Sequence, residues 1–219
     1  MLMSKGSAAG GGKVSFVRRA INSMEDAVNA GMETFVKHCP RPIMAFLATA
    51  LFWPTLWWNI LLKKDKKGGV ARNWYDTVEK GVILGALPFK KIVPQMKEEG
   101  VTHVLNMVAE WGGPESEYKK FGMVQKRIPV IDFTPPSTEN IREGAAFVKE
   151  VLDGGGIVYV HCKAGRGRSA SVVMGYLIQE KGMTPWEAQQ LLNAKRPHVL
   201  QVLHERKVIK DFEAWCKAK

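Results

Sequence analysis

The sequence has little cysteine and lacks several binding motifs. Only three of its 219 residues are cysteines, Cys39, Cys162 and Cys216. An odd, scattered set makes neither a disulfide framework nor a zinc-ligand pattern, and it favours a reducing compartment. The sequence has no basic tract interleaved with aromatic residues and no nucleic-acid-reading motif, which argues against nucleic acid as a partner. No internal repeat is present, and the nucleotide-binding patterns GxxxxGKS and GxxxxGKT are absent.

The chain does have an excess of positive charge and enough apolar residues for a core. Its formal net charge is +11, which favours anionic partners such as acidic lipids or phosphorylated substrates. Hydrophobic residues make up 46% of the chain, and 219 residues suit one domain of ordinary size with an extension. We expect this domain to be a monomer.

Residues 1–42 form a basic, amphipathic segment. Lysine and arginine occur before Glu25 without any acidic residue, among several serines, alanines and glycines. This composition is typical of an organelle transit peptide, and a solvated, disordered tail is the alternative. Apolar residues at spacings of three and four predict a helix from Val14 to about Lys37.

Residues 43–62, IMAFLATALFWPTLWWNILL, contain no charge and precede a lysine-rich linker at 63–73. A helix of about 20 apolar residues matches the roughly 30 Å hydrocarbon core of a bilayer, so the segment predicts a membrane helix. Its tryptophans stand toward the carboxyl end, as residues at a membrane interface do. Two alternatives stay open. In the first, Pro54 breaks the segment into an interfacial or re-entrant hairpin. In the second, the segment is a core helix that the following domain covers.

Strand-like and helix-like segments alternate through residues 74–219. Strands are predicted at 81–88, 101–108, 123–132 and 157–160, and helices fill the intervals and the carboxyl-terminal part. A capping box from Thr184 to Glu187 marks the start of one of these helices. The alternation predicts an α/β fold with a central, mostly parallel sheet flanked by helices.

The stretch VYVHCKAGRGRSASVV, residues 158–173, places a glycine-containing loop between a strand and a helix. Loop amides and a helix amino terminus together make a site for an anion. Cys162 opens this loop and Arg168 follows six residues later. An electropositive site lowers the pKa of a thiol, and a thiolate can attack a phosphoryl group held by an arginine fork. A buried structural cysteine beside a surface turn is the alternative.

The motif VHCKAGRGRSA resembles the signature of the cysteine-dependent phosphatases, specifically their dual-specificity branch. The resemblance implies that Cys162 is the nucleophile, Arg168 the phosphate clamp and Ser169 an aid to the leaving thiolate. It also implies a general acid on a loop about thirty residues earlier, where IDFTPPS supplies Asp132. The other loop residues are expected to shape the substrate site: His161, Lys163, Ala164, Gly165, Arg166 and Gly167.

Residues 72–200 are similar to the mitochondrial phosphatases that convert phosphatidylglycerophosphate to phosphatidylglycerol for cardiolipin synthesis. Animal members of that family carry an acidic Glu-Glu-Tyr-Glu loop after the second strand. Here VAEWGG keeps Glu110 and the aromatic Trp111, which we expect at the substrate site. Ala109 and Gly112 stand where those members have acids. This difference affects the prediction of the substrate more than the prediction of the reaction.

The resemblance implies a phosphocysteine mechanism with no metal or cofactor. It also implies an anionic phospholipid substrate at the mitochondrial inner membrane, with the endoplasmic reticulum or a plastid membrane as alternatives. Alternative functions are a dual-specificity protein phosphatase, a phosphoinositide phosphatase and a non-catalytic phosphate-binding adaptor.

Overall fold

The computed structural model describes residues 31, 39–63 and 73–218. The predicted helix at 14–37 and nearly all of the predicted targeting segment and linker lie outside these residues. The targeting segment, with its helix, and the linker therefore stay predictions.

Five strands form one central sheet in the order β1–β2–β5–β3–β4. The strands are β1 Tyr75–Glu79, β2 Val82–Gly85, β3 His103–Val108, β4 Val124–Val130 and β5 Val158–His161. Strand β1 pairs antiparallel with β2, and the remaining neighbours pair in parallel. The predicted mostly parallel sheet is confirmed. Strand β1 was not predicted because its sequence, YDTVE, is largely polar, as suits an edge strand.

Helices cover both faces of this sheet. They are α1 Arg41–Lys63, α2 Val93–Glu98, α3 Glu115–Lys120, α4 Thr138–Asp153, α5 Arg168–Lys181, α6 Pro185–Lys195 and α7 Lys207–Lys217. Along β2, Val82 and Leu84 face the larger core, which α4 to α7 complete, and Ile83 faces a smaller core with α2 and α3. This two-sided burial explains why every residue of β2 and β5 is buried and why both strands are mostly apolar.

Local signals in the sequence set several helix boundaries. The predicted capping box is present at α6, where the Thr184 side chain accepts from the Glu187 amide and the Glu187 carboxylate accepts from the Thr184 amide. Helix α5 ends at Lys181, and the Gly182 that caps it has a φ of 65°, in the left-handed region that glycine tolerates best. The short helix α3 was not predicted.

Helix α1 differs from what its sequence predicted. It is one helix that continues through Pro54, so the hairpin alternative is wrong. Among the described residues no helix is long and apolar enough to cross a membrane, so the predicted spanning helix is not found. One face of α1 is buried at a spacing of four residues: Met44, Ala48, Phe52 and Leu56. Phe52 and Leu56 belong to the larger core, as in the core-helix alternative.

Parallel strands β2, β5, β3 and β4 end at the same edge of the sheet. In open α/β sheets, ligands bind at this edge, in the loops that follow the strands. The loops after β3, β4 and β5 carry Glu110, Asp132 and Cys162, so the topology brings these three predicted site residues to one place.

Candidate active site

The loop between β5 and α5, residues 162–168, forms the base of the site, and we call it the phosphate loop. Gly165 in this loop has φ +68°, a conformation that side-chain-bearing residues rarely adopt. A Cβ atom at Gly165 would also lie 2.4 Å from the Gly85 carbonyl oxygen. The loop therefore packs against the end of β2 so closely that this position requires glycine.

The Cys162 sulfur lies inside the phosphate loop and is almost completely buried. The Gly165 amide donates a hydrogen bond to Sγ at 3.3 Å, and the Ser169 hydroxyl lies at the same distance. Burial alone would raise the pKa of this thiol, but the charge of Arg168 and hydrogen bonds from Ser169 and the Arg166 amide lower it to about 7. A substantial fraction of Cys162 is therefore the nucleophilic thiolate at neutral pH.

This environment predicts how activity depends on pH. Turnover of para-nitrophenyl phosphate should fall as the pH drops below about 7, because protonation removes the Cys162 thiolate. Ser169→Ala should move this acidic limb to higher pH, since the thiolate loses a hydroxyl donor. Iodoacetamide alkylation rates measured against pH would report the same shift without turnover. An alkylation profile unchanged in Ser169→Ala would show that the hydroxyl does not stabilise the thiolate.

Arg168 extends its guanidinium beside the phosphate loop and is itself buried. Its Nη2 donates to Oδ1 of Asp132 at 2.7 Å, and its Nη1 donates to the Val130 carbonyl at 2.7 Å. The Glu110 carboxylate lies 3.4 Å from Nη1. These contacts fix the planar fork, which is the geometry that binds two oxygens of a phosphate.

Asp132 stands on the loop after β4 and is also buried. Its amide donates to Oε1 of Glu110 at 2.7 Å, and its carboxylate accepts from Arg168 and from the Lys163 ammonium. Burial would raise the pKa of Asp132, but the Arg168 and Lys163 charges hold it below its ordinary value. Asp132 is therefore the buried counter-charge of two cations beside the phosphate loop.

Lys163 connects this site to helix α1. Its ammonium donates to the Thr55 hydroxyl at 2.7 Å and lies over the rings of Phe52 and Phe133. The Thr55 hydroxyl in turn donates to the Leu51 carbonyl within α1. Nothing in the sequence indicated that Thr55 reaches the site, because it stands 108 residues before Lys163.

The remaining predicted residues surround the same loop. His161 is buried, which lowers its pKa to about 3, so its ring is neutral. Trp111 packs edge-on against that ring. Arg166 is half-buried, and its Nε donates to the His198 carbonyl at 2.6 Å. The structure thus places the predicted residues in one cluster, and their roles in the reaction are taken up under the proposed function.

Sequence reasoning missed Arg196, which is completely buried behind the phosphate loop. Its guanidinium donates to the carbonyls of Ala164 and Gly165 and pairs with Asp76 at 2.6 Å. The sequence feature that could have indicated Arg196 is the segment KRPHV, which lies within the region of family resemblance.

Residues 82–214 match the family model of the dual specificity phosphatase catalytic domain. The chain belongs to the dual-specificity phosphatase family. It is therefore a phosphoric monoester hydrolase, and the site described above lies within the matched region.

Known relatives agree with this assignment. The chain is 38% identical over 175 residues to the phosphatidylglycerophosphate phosphatase PTPMT1 of Arabidopsis thaliana, which covers 78% of this chain and 51% of the relative. The chain thus spans about half the length of that relative. It is 35% identical over 175 residues to the Mus musculus phosphatidylglycerophosphatase and protein-tyrosine phosphatase 1, covering 77% of this chain and 90% of the relative.

A solved structure shares the fold. The crystal structure of PTPMT1 in complex with PI(5)P superposes with a TM-score of 0.61 at 34% identity, covering 67% of this chain and 98% of that chain. The α/β architecture with its mostly parallel sheet is therefore that of the dual-specificity phosphatases.

Proposed function

We propose that this protein hydrolyses phosphatidylglycerophosphate to phosphatidylglycerol through a phosphocysteine intermediate. The observation that carries the proposal is the buried cluster of Cys162, Arg168 and Asp132, in which loop donors stabilise the Cys162 thiolate and Arg168 holds Asp132 beside it. Two of the relatives reported above are named for phosphatidylglycerophosphate and support this substrate.

In the first step the Cys162 thiolate attacks phosphorus, and an S–P bond forms as the P–O bond to the glycerol breaks. The Arg168 fork and the loop amides bind the non-bridging oxygens, and Asp132 gives its proton to the departing glycerol oxygen. In the second step water attacks phosphorus, Asp132 takes a proton from that water, and the S–P bond breaks. The Ser169 hydroxyl, 3.3 Å from Sγ, stabilises the returning thiolate.

Asp132 changes its partners during this cycle. A phosphate that takes the Arg168 fork removes one cation from the Asp132 carboxylate and brings negative charge close to it. Both changes raise the pKa of Asp132, which allows it to hold the proton that the leaving oxygen needs. Lys163 is buried beside Asp132, so one cation stays on the carboxylate when the phosphate takes the Arg168 fork.

A second candidate substrate is a phosphoinositide. The PTPMT1 crystal structure with PI(5)P favours it, because the matched chain shares 34% identity with this one. Both substrates are lipids that carry a phosphomonoester, which is the group that the phosphate loop would bind. A phosphoprotein is the remaining alternative.

Phosphate release from three substrates by the same preparation separates these functions. The substrates are phosphatidylglycerophosphate in vesicles, PI(5)P in vesicles of the same composition, and a phosphotyrosine peptide. The proposal expects the highest kcat/KM with phosphatidylglycerophosphate. A higher kcat/KM with the peptide would contradict a lipid substrate, and a higher value with PI(5)P would assign the phosphoinositide function.

Membrane association through α1 is part of this proposal. The face opposite its buried residues exposes large apolar side chains: Ile43 at 50%, Phe46 at 72%, Trp53 at 51% and Trp57 at 62%. A helix with one face packed on its domain and an exposed aromatic face suits the bilayer interface. The lysines that follow residue 62 in the sequence would be drawn to anionic lipid. Since Thr55 of α1 contacts Lys163, this orientation would place the site at the lipid surface.

Replacing Phe46, Trp53 and Trp57 together by alanine tests this orientation. The variant should lose binding to anionic vesicles and turn over vesicle lipid about tenfold or more slowly, because the apolar contact area is removed. Activity on para-nitrophenyl phosphate should stay unchanged. Trp186→Ala is the matched control, because Trp186 is 57% exposed on α6. Vesicle binding retained by the triple variant and lost by Trp186→Ala would place the lipid-binding surface on α6 instead.

We place the protein at the mitochondrial inner membrane as a monomer. The basic composition of the first 24 residues supports import, and the resemblance to mitochondrial phosphatases supports that organelle. Fractionation of the full chain with a carboxyl-terminal tag tests this location. Recovery with endoplasmic reticulum or plastid membranes would contradict it.

A further inference from the structure

Every carbonyl group from Lys163 to Arg166 in the phosphate loop is bound from outside the loop. The amides of Leu87 and Leu200 donate to the carbonyls of Lys163 and Arg166, respectively. The two carbonyls between them, of Ala164 and Gly165, accept from a single side chain, Arg196. The outer side of the loop is therefore held by two backbone donors and one guanidinium.

The Arg196 guanidinium uses all of its donors in this position. Nε donates to Gly165 at 2.9 Å, and Nη2 donates to Ala164 at 3.2 Å and to the Trp74 carbonyl. Nη1 donates to Asp76 at 2.6 Å and to the Asn73 carbonyl. Five donors in one rigid plane thus tie the phosphate loop to the start of β1, a geometry that lysine, with its single nitrogen, does not reproduce.

The direction of these carbonyls sets the direction of the loop amides. In a planar trans peptide the C=O and the N–H point to opposite sides. Turning the carbonyls of Ala164 and Gly165 out toward Arg196 therefore turns the amides of Gly165 and Arg166 inward. These are two of the amides that bond the Cys162 sulfur.

We propose that Arg196 is a positioning residue that aims the phosphate-loop amides at the Cys162 sulfur and at the phosphate that binds there. The proposal rests on Cys162 being the nucleophile of the proposed function. Arg196 itself touches the backs of the peptide groups, and it acts on the reaction through the amides of Gly165 and Arg166.

Arg196→Lys is the decisive variant, because it keeps a buried cation beside Asp76 and removes the planar grip on two carbonyls. We expect the pKa of the Cys162 thiol to rise by about one unit, so that iodoacetamide alkylation at a pH below 7 slows about tenfold. KM for para-nitrophenyl phosphate should rise as well, because the same amides bind the phosphate. Alkylation needs no substrate, so its result is independent of whether the proposed lipid is correct.

Two further variants separate positioning from charge and from stability. Arg196→Met removes the cation as well, and Asp76→Asn removes the outer ion pair while leaving Arg196 on the carbonyls. The other charged group at the sulfur, Arg168, is unchanged in all three, and His161 is neutral. We expect Asp76→Asn to lower the unfolding temperature without moving the alkylation profile.

An alkylation profile in Arg196→Lys that matches the unsubstituted protein would overturn the proposal. If only Arg196→Met moved the profile, Arg196 would act by charge alone, which also overturns it. If Arg196→Met does not fold, the Arg196→Lys profile decides. A profile moved by Asp76→Asn as far as by Arg196→Lys would mean that general loosening of the loop, not the grip on its carbonyls, is responsible.

Discussion

Cys162→Ser should reduce turnover of every phosphomonoester to less than about a hundredth of the unsubstituted rate. A serine hydroxyl fits the same space, but it is far less ionised at neutral pH than a thiol whose pKa is about 7. Binding of a phosphate mimic such as vanadate or tungstate should survive. The Gly165 amide and the Arg168 fork, which would bind the oxyanion, are unchanged in this variant.

Cys216→Ser is the matched control for this experiment. Cys216 is a half-buried cysteine on α7, outside the phosphate loop, so its replacement should leave turnover unchanged. Both variants are assayed on para-nitrophenyl phosphate and on lipid vesicles, with thermal unfolding as the check on folding. A folded Cys162→Ser protein that keeps more than a hundredth of the activity would remove Cys162 from the role of nucleophile.

Asp132→Asn should slow lipid hydrolysis far more than hydrolysis of para-nitrophenyl phosphate. A glycerol alkoxide is a poor leaving group, and a positioned acid is worth about 10² to 10⁴ in its rate. Para-nitrophenolate leaves nearly unaided, so the loss on that substrate should be small. Asparagine keeps the size of Asp132 and removes the proton that the mechanism transfers.

The pH profile gives a second measurement on the same variant. Loss of the Asp132 proton sets the basic limb of kcat, while ionisation of Cys162 sets the acidic limb. Asp132→Asn should flatten the basic limb and leave a thiol-dependent acidic limb. An equal loss on both substrates, with a lower unfolding temperature, would show that Asp132 serves as the structural partner of Arg168 and Lys163. Glu110, 3.4 Å from Arg168, would then be the first candidate for the acid.

The sequence predicted the parts of the site that depend on local pattern. The strand, glycine loop and helix around Cys162 occupy consecutive residues, so their order alone indicates an anion site. Asp132 was assigned through the family resemblance, which implies an acid about thirty residues before Cys162, and the structure places β4 and β5 so that both end at the same edge of the sheet. Arg196 and Thr55 could not be assigned in this way, because both reach the phosphate loop through tertiary contacts to residues more than 30 positions away.

Helix α1 shows a second limit of sequence pattern. Residues 43–62 carry no charge, and a buried core helix and a membrane helix share that property. Which side of α1 packs on the domain depends on the positions of Phe52 and Leu56 relative to the core. Because apolar residues lie all around the helix, the sequence does not show which face packs on the domain. The structure shows the buried face and the exposed tryptophans directly.

The most direct test of the central claim is to trap the intermediate. The full chain is mixed with vesicles of phosphatidylglycerophosphate labelled in its terminal phosphate, quenched within a single turnover, and mapped by peptide mass spectrometry. Our account predicts labelled phosphate on the peptide that contains Cys162, and none on Cys162→Ser. Release of labelled phosphate from the lipid by a protein that carries no label on Cys162 would contradict the phosphocysteine mechanism.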